Sequence, residues 1–157
     1  MPARKKSLLK EMRETFFLHA IAAHFSNGLI PVAVLYLLLT MPTGDPFFEH
    51  TVEHLIVISL MAIPVSFFSG LHDWKTKYRA ARTPVFLKKI RLSIILFLLA
   101  LVAVSIRIAT PDIMYYNGWL HWIYIALLLG MLLVVKFLGH YGGKLSAGAR
   151  QAAAREK

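Results

Sequence analysis

Seven histidines distinguish this chain, because all of them except His50 stand inside or at the ends of long apolar stretches. An imidazole is costly to place in lipid, so a histidine within a membrane span usually has a bound partner or a function. The chain contains no cysteine, which excludes disulfides, iron–sulfur clusters and covalently attached c-type haem. Any cofactor must therefore be held by histidine, methionine or oxygen ligands.

The histidines at the predicted outer face form the first candidate site. His54 and His121 lie at similar depth, about four and three residues inside the start of their apolar stretches. Two facing imidazoles at one depth can bind the two faces of a haem b, and Arg107 at the same level can neutralise a propionate. We therefore expect an outer haem between His54 and His121.

A second group of histidines lies at the opposite face. His24 and His72 are the candidate ligands of an inner haem, and Arg91 is its candidate propionate partner. The 18 residues from His54 to His72 make about five helical turns and place the two rings about 27 Å apart on one helix face. This spacing is long for a dihaem cytochrome b, so the inner site is either completed from the first apolar stretch or is not a haem site. The weaker candidates for metal ligation are His19, His140 and His50.

A different chemistry is suggested by the segment from His50 to His54. These two histidines are four residues apart and share a helix face with Glu53 between them, a pattern known from zinc enzymes. With His121 they could form a three-histidine metal site at the outer surface. Histidines near the ends of the stretches, such as His72 and His140, could instead simply reach the membrane interface.

Four apolar stretches must position these residues. They cover about 16–41, 51–71, 90–109 and 118–139, and each can cross a hydrocarbon core of about 30 Å. Hydrophobic residues make up 57% of the chain, and the stretches are continuous rather than alternating, which favours helices over a barrel. The sequence predicts one all-α domain over 1–157, an integral membrane four-helix bundle with a basic amphipathic lead-in at 1–15 and a tail at 141–157.

The charge distribution predicts the orientation of the bundle. The net charge is +10, yet the connections 42–50 and 110–117 contain no lysine or arginine. Basic residues instead precede the first stretch, separate the second from the third and follow the fourth. This positive-inside pattern places both termini in the cytoplasm, and it favours contact with lipid over binding of nucleic acid.

Three short motifs carry a resemblance to a known family. The segment from His19 to Phe25 reads H-x4-H-F, residues 69–74 read SGLHDW, and residues 139–146 read GHYGGKLS. In this order they resemble the bacterial four-helix membrane family catalogued as domain of unknown function 2231. The resemblance implies a multi-pass protein of the bacterial inner membrane and singles out His19, His24 and Asp73. The chain lacks the family's prolines beside the paired histidines, and Lys88 to Arg91 stand where such proteins often carry a histidine.

Together these patterns favour a membrane b-type cytochrome or haem-bearing subunit in transmembrane electron transfer, with one or two haems b and with quinone or quinol as partner. Family members often occur beside cytochrome-like modules, so a cytochrome or larger membrane complex is a further expected partner, and a homo-oligomer is another. Two alternatives stay open: a non-catalytic helical subunit of a respiratory or photosynthetic complex, and an outer-facing metal enzyme. The same patterns fit either a quinol or haem oxidoreductase component or a subunit without catalytic activity of its own.

Overall fold

The computed structural model describes residues 18–77, 80, 83–115 and 118–155, with the side chains of 18–20, 77 and 146–155 left aside. It contains four helices: α1 Leu18–Thr43, α2 Pro46–Lys77, α3 Pro84–Ala109 and α4 Trp119–Arg155. The described residues form no strand, which confirms the predicted all-α four-helix fold. The expected lead-in at 1–15 lies outside the described residues, as does the side chain of His19.

All four helices are long and apolar enough to cross a membrane, over Ile21–Thr43, Pro46–Thr76, Pro84–Ala109 and Trp119–Leu145. Their outward faces carry large apolar side chains that are more than half exposed in the isolated chain, such as Met61 and Phe68. In a bilayer these faces contact lipid, since the backbone polar groups are satisfied within each helix. The protein is therefore a multi-pass membrane protein.

The helices form a ring in which each contacts the helix before or after it in sequence, and α4 closes the ring against α1. Among the described residues, α1 and α3 make no such contact, nor do α2 and α4, so these pairs lie on the diagonals of the bundle. Neighbouring helices run antiparallel because the connections between them are short. We call the end where α1 begins the inner end and the opposite end the outer end, following the predicted orientation.

The core is apolar along most of its length. Ile30, Leu37, Ile56, Leu128 and Met131 are at most 1% exposed and belong to one cluster contributed by all the helices together with Ala100 and Ala103 of α3. Small residues on α3 allow close approach of neighbouring helices, as is common in membrane bundles. Most of the polar residues that interrupt this packing lie toward its two ends, whereas Ser59 is buried midway along α2.

The helices extend further than the apolar stretches indicate. The outer connection between α1 and α2 contains only Gly44, whose φ is +61°, and Asp45, whose Oδ1 accepts a hydrogen bond of 2.9 Å from the Phe47 N–H. His50 therefore lies in the first turns of α2 rather than in a loop. α2 also continues past Gly70 to Lys77, and α4 continues past the expected end near 139 to Arg155. Polar residues at the membrane surface do not end a helix whose backbone hydrogen bonds can continue.

Candidate functional site

A cavity of about 560 Å³ opens at the inner end, where all four helices meet. α1, α2 and α3 each contribute polar side chains to its wall, whereas α4 contributes glycines. Apolar and aromatic groups of all four helices complete the wall, so the cavity combines an apolar lining with a few polar groups. This is the usual composition of a site for a small organic molecule. The polar and glycine positions are His24, Ser26, Asn27, Ser66, Gly70, Asp73, Lys89, Ser93, Gly139, Gly142 and Gly143.

Opposite charges face one another across part of this wall. Lys89 of α3 is partly buried, and the Asp73 carboxylate of α2 lies within electrostatic range of its ammonium group. Attraction between charges is stronger where water is partly excluded than at an open surface. The pair therefore supplies both a cation and an anion to any molecule that enters the cavity.

The glycines of α4 leave the wall open. A Cβ atom at Gly139, Gly142 or Gly143 would meet no heavy atom within 4 Å outside the local helix. None of them has a positive φ, so neither packing nor backbone conformation calls for glycine. Glycine inside a helix costs about 0.5–1 kcal/mol relative to alanine. What these glycines provide is access to the α4 backbone from the cavity.

The three sequence motifs converge on this cavity. His24 from the first motif, Asp73 from the second and the Gly142-Gly143 pair from the third all line it, although they come from three different helices. Lys89 of α3 lines it as well. Sequence reasoning singled out His24 and Asp73 but not Lys89, whose neighbours are basic and resemble ordinary inner-face charges.

The outer end contains a buried ionic cluster. Arg107 is 3% exposed, and its Nη2 atom lies 3.1 Å from Glu49 Oε1 and 3.1 Å from Glu53 Oε2. The Glu49 side chain is only 4% exposed, whereas that of Glu53 is 34% exposed and reaches toward His50, at 3.6 Å. Burying a charge requires a partner, and here Arg107 at the end of α3 joins two carboxylates at the start of α2.

Two tyrosines flank this cluster. Partial desolvation and a hydrogen bond from its hydroxyl group to the Glu49 carboxylate raise the pKa of Tyr115, in the α3–α4 connection. Tyr124 of α4 is 1% exposed and lies within electrostatic range of Arg107 and both glutamates. Sequence reasoning missed Glu49 as an interior group because it was assigned to a loop. An arginine within an apolar stretch, with carboxylates four residues apart on a neighbouring helix, is the signal that could have found it.

The two histidines predicted to share an outer haem occupy different environments. His121 is 7% exposed, and its Nδ1 atom lies 3.0 Å from the Ile113 carbonyl oxygen. His54 is exposed, and its Nδ1 atom lies 2.6 Å from the His50 carbonyl oxygen one turn earlier. The helices that carry them lie on a diagonal of the bundle, and the described contacts of neither ring include the other. Core side chains of both helices, including Val52 and Tyr124, pack at this level.

The remaining predicted site residues lie mostly on the surface. His50, His72 and His140 are exposed, as is Arg91, and none of them lines the inner cavity. Arg107, the expected partner of a haem propionate, has two carboxylates beside it. Within the described ranges no group of three or more histidine, aspartate or glutamate side chains could hold a metal ion. Of the candidates, His24, which is also exposed, and Asp73 thus line the same cavity, whereas the others do not.

Comparison with known protein families gives a match over most of the chain. The model of a family described as "Predicted membrane protein (DUF2231)" matches residues 16–154, a range that contains α1, α2, α3, all of α4 except Arg155, and the cavity. No curated protein and no solved structure matches the chain.

Proposed function

The chain belongs to the DUF2231 family of predicted membrane proteins; we propose that its inner cavity, lined by His24, Asp73 and the Gly142-Gly143 pair, is a ligand site and that the ligand is a quinone or quinol. In this proposal the protein is a membrane subunit of an electron-transfer system. The observation that supports the proposal is the cavity itself, an apolar space to which three of the four helices contribute polar side chains. Its place at one end of a membrane bundle makes it accessible to a lipid-soluble molecule.

A quinone matches the lining in chemical character. Its ring is flat and apolar, and its two carbonyl oxygens accept hydrogen bonds when oxidised and donate them as hydroxyls when reduced. His24, Asn27 and Lys89 can donate to an oxygen, and Asp73 can accept from a hydroxyl. The Phe67 and Trp74 rings offer apolar surface, and the α4 glycines allow a flat ring to approach the helix backbone.

A haem remains a second candidate cofactor, favoured by one observation at His121. A metal-bound histidine commonly donates its second ring N–H to a backbone carbonyl, and His121 Nδ1 lies 3.0 Å from that of Ile113. His54 would have to turn from its exposed position to share such a haem, and at the inner cavity His24 is the one histidine in the described lining. A pyridine haemochrome assay on protein made with ample haem tests this part of the proposal. Purified protein without haem would rule out the b-type cytochrome.

The proposal includes the orientation given by the charge pattern. Both termini face the cytoplasm of a bacterium, the cavity opens toward the cytoplasmic leaflet, and the ionic cluster lies near the outer surface of the inner membrane. A larger membrane complex or a cytochrome would accept the electrons. In this orientation, a quinone or quinol bound in the cavity would exchange its protons with the cytoplasmic side of the membrane.

Trp74 provides a direct assay of the proposed site. The chain has three tryptophans, and Trp119 and Trp122 lie at the outer end, far from the cavity. In a variant with Trp119→Phe and Trp122→Phe, emission comes from Trp74 alone, and a short-chain quinone should quench it in a saturable way. Asp73→Asn should weaken that quenching, whereas Asp45→Asn, at the exposed outer connection, should not.

The outcome that contradicts the proposal is equally clear. Quenching that rises linearly with quinone concentration, with the same slope in the Asp73→Asn and Asp45→Asn variants, would mean that the quinone only partitions into detergent. The cavity would then not be a quinone site.

A further inference from the structure

We propose that the inner cavity stabilises the one-electron reduced form of its ligand, the anionic semiquinone, and that the Lys89 ammonium group is the cation that holds it. This inference rests on the proposed function, because it names the redox form that the same cavity favours.

Hydrogen-bond donors occupy opposite sides of the cavity. His24 and Asn27 come from α1, whereas Lys89 and Ser93 come from α3. Because α1 and α3 lie on a diagonal of the bundle, these donors face one another across the cavity. The two oxygens of a para-quinone also lie at opposite ends of its ring. A ring lying between α1 and α3 therefore places one oxygen at each set of donors.

The two sides differ in charge. Lys89 is the one lysine or arginine within the described lining. The quinone oxygen on the α3 side therefore meets a full positive charge, while the oxygen on the α1 side meets a neutral amide and an imidazole. A semiquinone anion carries negative charge on its oxygens, and a nearby ammonium group stabilises that charge more than it stabilises a neutral quinone. Asp73, within electrostatic range of Lys89, balances the lysine when the bound quinone is neutral.

The electron balance is simple. A quinone gains one electron from a one-electron carrier, such as a ferrous haem that becomes ferric, and forms the semiquinone anion without taking up a proton. A second electron and two protons complete the quinol. A site that stabilises the semiquinone separates the two electron transfers. Such a separation is needed where quinone, a two-electron carrier, exchanges electrons with carriers that take one electron at a time.

Neighbouring lysines give a matched pair of variants. Lys89 lines the cavity, whereas the exposed Lys88 has its Nζ 5.5 Å from the centre of the Tyr141 ring and does not line it. Purified protein loaded with a short-chain quinone is poised with redox mediators, and the semiquinone is counted by electron paramagnetic resonance. Lys89→Gln should lower the maximal semiquinone signal by about tenfold or more, since loss of a partly buried charge contact exceeds the ~1.4 kcal/mol that equals a factor of ten. Lys88→Gln should leave the signal unchanged, and Lys89→Arg should retain most of it.

A measurement on the unmodified chain guards against a variant that misfolds. Pulsed paramagnetic resonance of protein labelled with ¹⁵N-lysine should detect a coupling between the semiquinone and a lysine nitrogen, and Lys88→Gln should retain it. Two results would overturn this inference and leave the quinone site intact, provided that quinone quenching of Trp74 is saturable. One is an equal semiquinone signal in the Lys89→Gln and Lys88→Gln variants, and the other is a semiquinone without detectable coupling to a lysine nitrogen. Absence of saturable quenching would overturn both.

Discussion

Replacing Gly142 should make the protein more stable and its ligand site weaker. Gly142 lies within α4, and a Cβ atom there would meet nothing within 4 Å, so alanine creates no clash in the protein. Alanine improves the helix by about 0.5–1 kcal/mol, which in a chain of this size raises the unfolding midpoint by about 1–4 °C. The added methyl group nevertheless enters the cavity, where it occupies the approach to the helix backbone. Leucine at this position projects much further into the same space.

Gly130 supplies the matched control on the same helix. A Cβ atom there would lie 3.8 Å from Leu99 Cδ1, an ordinary contact, and Gly130 does not line the cavity. We expect Gly130→Ala to raise the midpoint of thermal unfolding in detergent by a similar amount and to leave quinone quenching of Trp74 unchanged. Gly142→Ala should weaken the quenching. Gly142→Leu should reduce the affinity for quinone by about tenfold or more, because the leucine side chain would occupy space that the quinone needs in the cavity.

The essential result is that Gly142→Ala raises the midpoint of thermal unfolding while it weakens quinone binding. A Gly142→Leu variant that folds and binds quinone as tightly as the parent would refute the reasoning that these glycines keep the cavity open. A Gly142→Ala variant that unfolds at a lower temperature would show that the glycine has a packing role in α4 instead.

Three further predictions concern the outer end and the orientation. Arg107→Met should destabilise the protein by about 3–5 kcal/mol in denaturant unfolding, because it leaves Glu49 buried without a counter-charge, and adding Glu49→Gln should recover part of the loss; an unchanged midpoint would contradict the ionic cluster. The pKa of Tyr115 is raised from 10.0, so its contribution to stability is complete below that pH and is lost as the pH rises through the folded-state pKa; Tyr115→Phe should remove this alkaline loss, and an identical pH dependence in both proteins would refute it. Since the chain lacks cysteine, Asp112→Cys and Lys75→Cys can be labelled selectively in whole cells; a membrane-impermeant maleimide should label the first and not the second, and the reverse pattern would invert the orientation.

The fold follows from the sequence because its main determinant is local. Four continuous apolar stretches predict four spanning helices, and short connections predict antiparallel neighbours. Helix ends were less predictable, since apolar composition marks the part of a helix inside lipid and not its full length. Pro46 and the Asp45 cap start α2 several residues before its apolar stretch begins, which carries Glu49 and His50 into the helix.

The candidate site was only partly predictable. The motifs indicated His24 and Asp73 in separate helices, but no sequence pattern distinguishes Lys89 from Lys88, because that distinction depends on how α3 is rotated in the bundle. Depth along a helix can be counted from the sequence, whereas rotation about its axis depends on packing against neighbours. His54 and His121 match in depth, yet one faces outward and the other inward.

Photo-crosslinking tests the central claim most directly. Purified protein is illuminated with an azido-substituted short-chain quinone, and the modified peptides are identified by mass spectrometry with and without excess unmodified quinone. The quinone site predicts labelling of the cavity wall, in residues 66–74 of α2, 86–96 of α3 or 138–145 of α4, that excess quinone suppresses. Labelling that is spread over the lipid-facing surfaces and is insensitive to excess quinone would contradict a quinone site in the inner cavity.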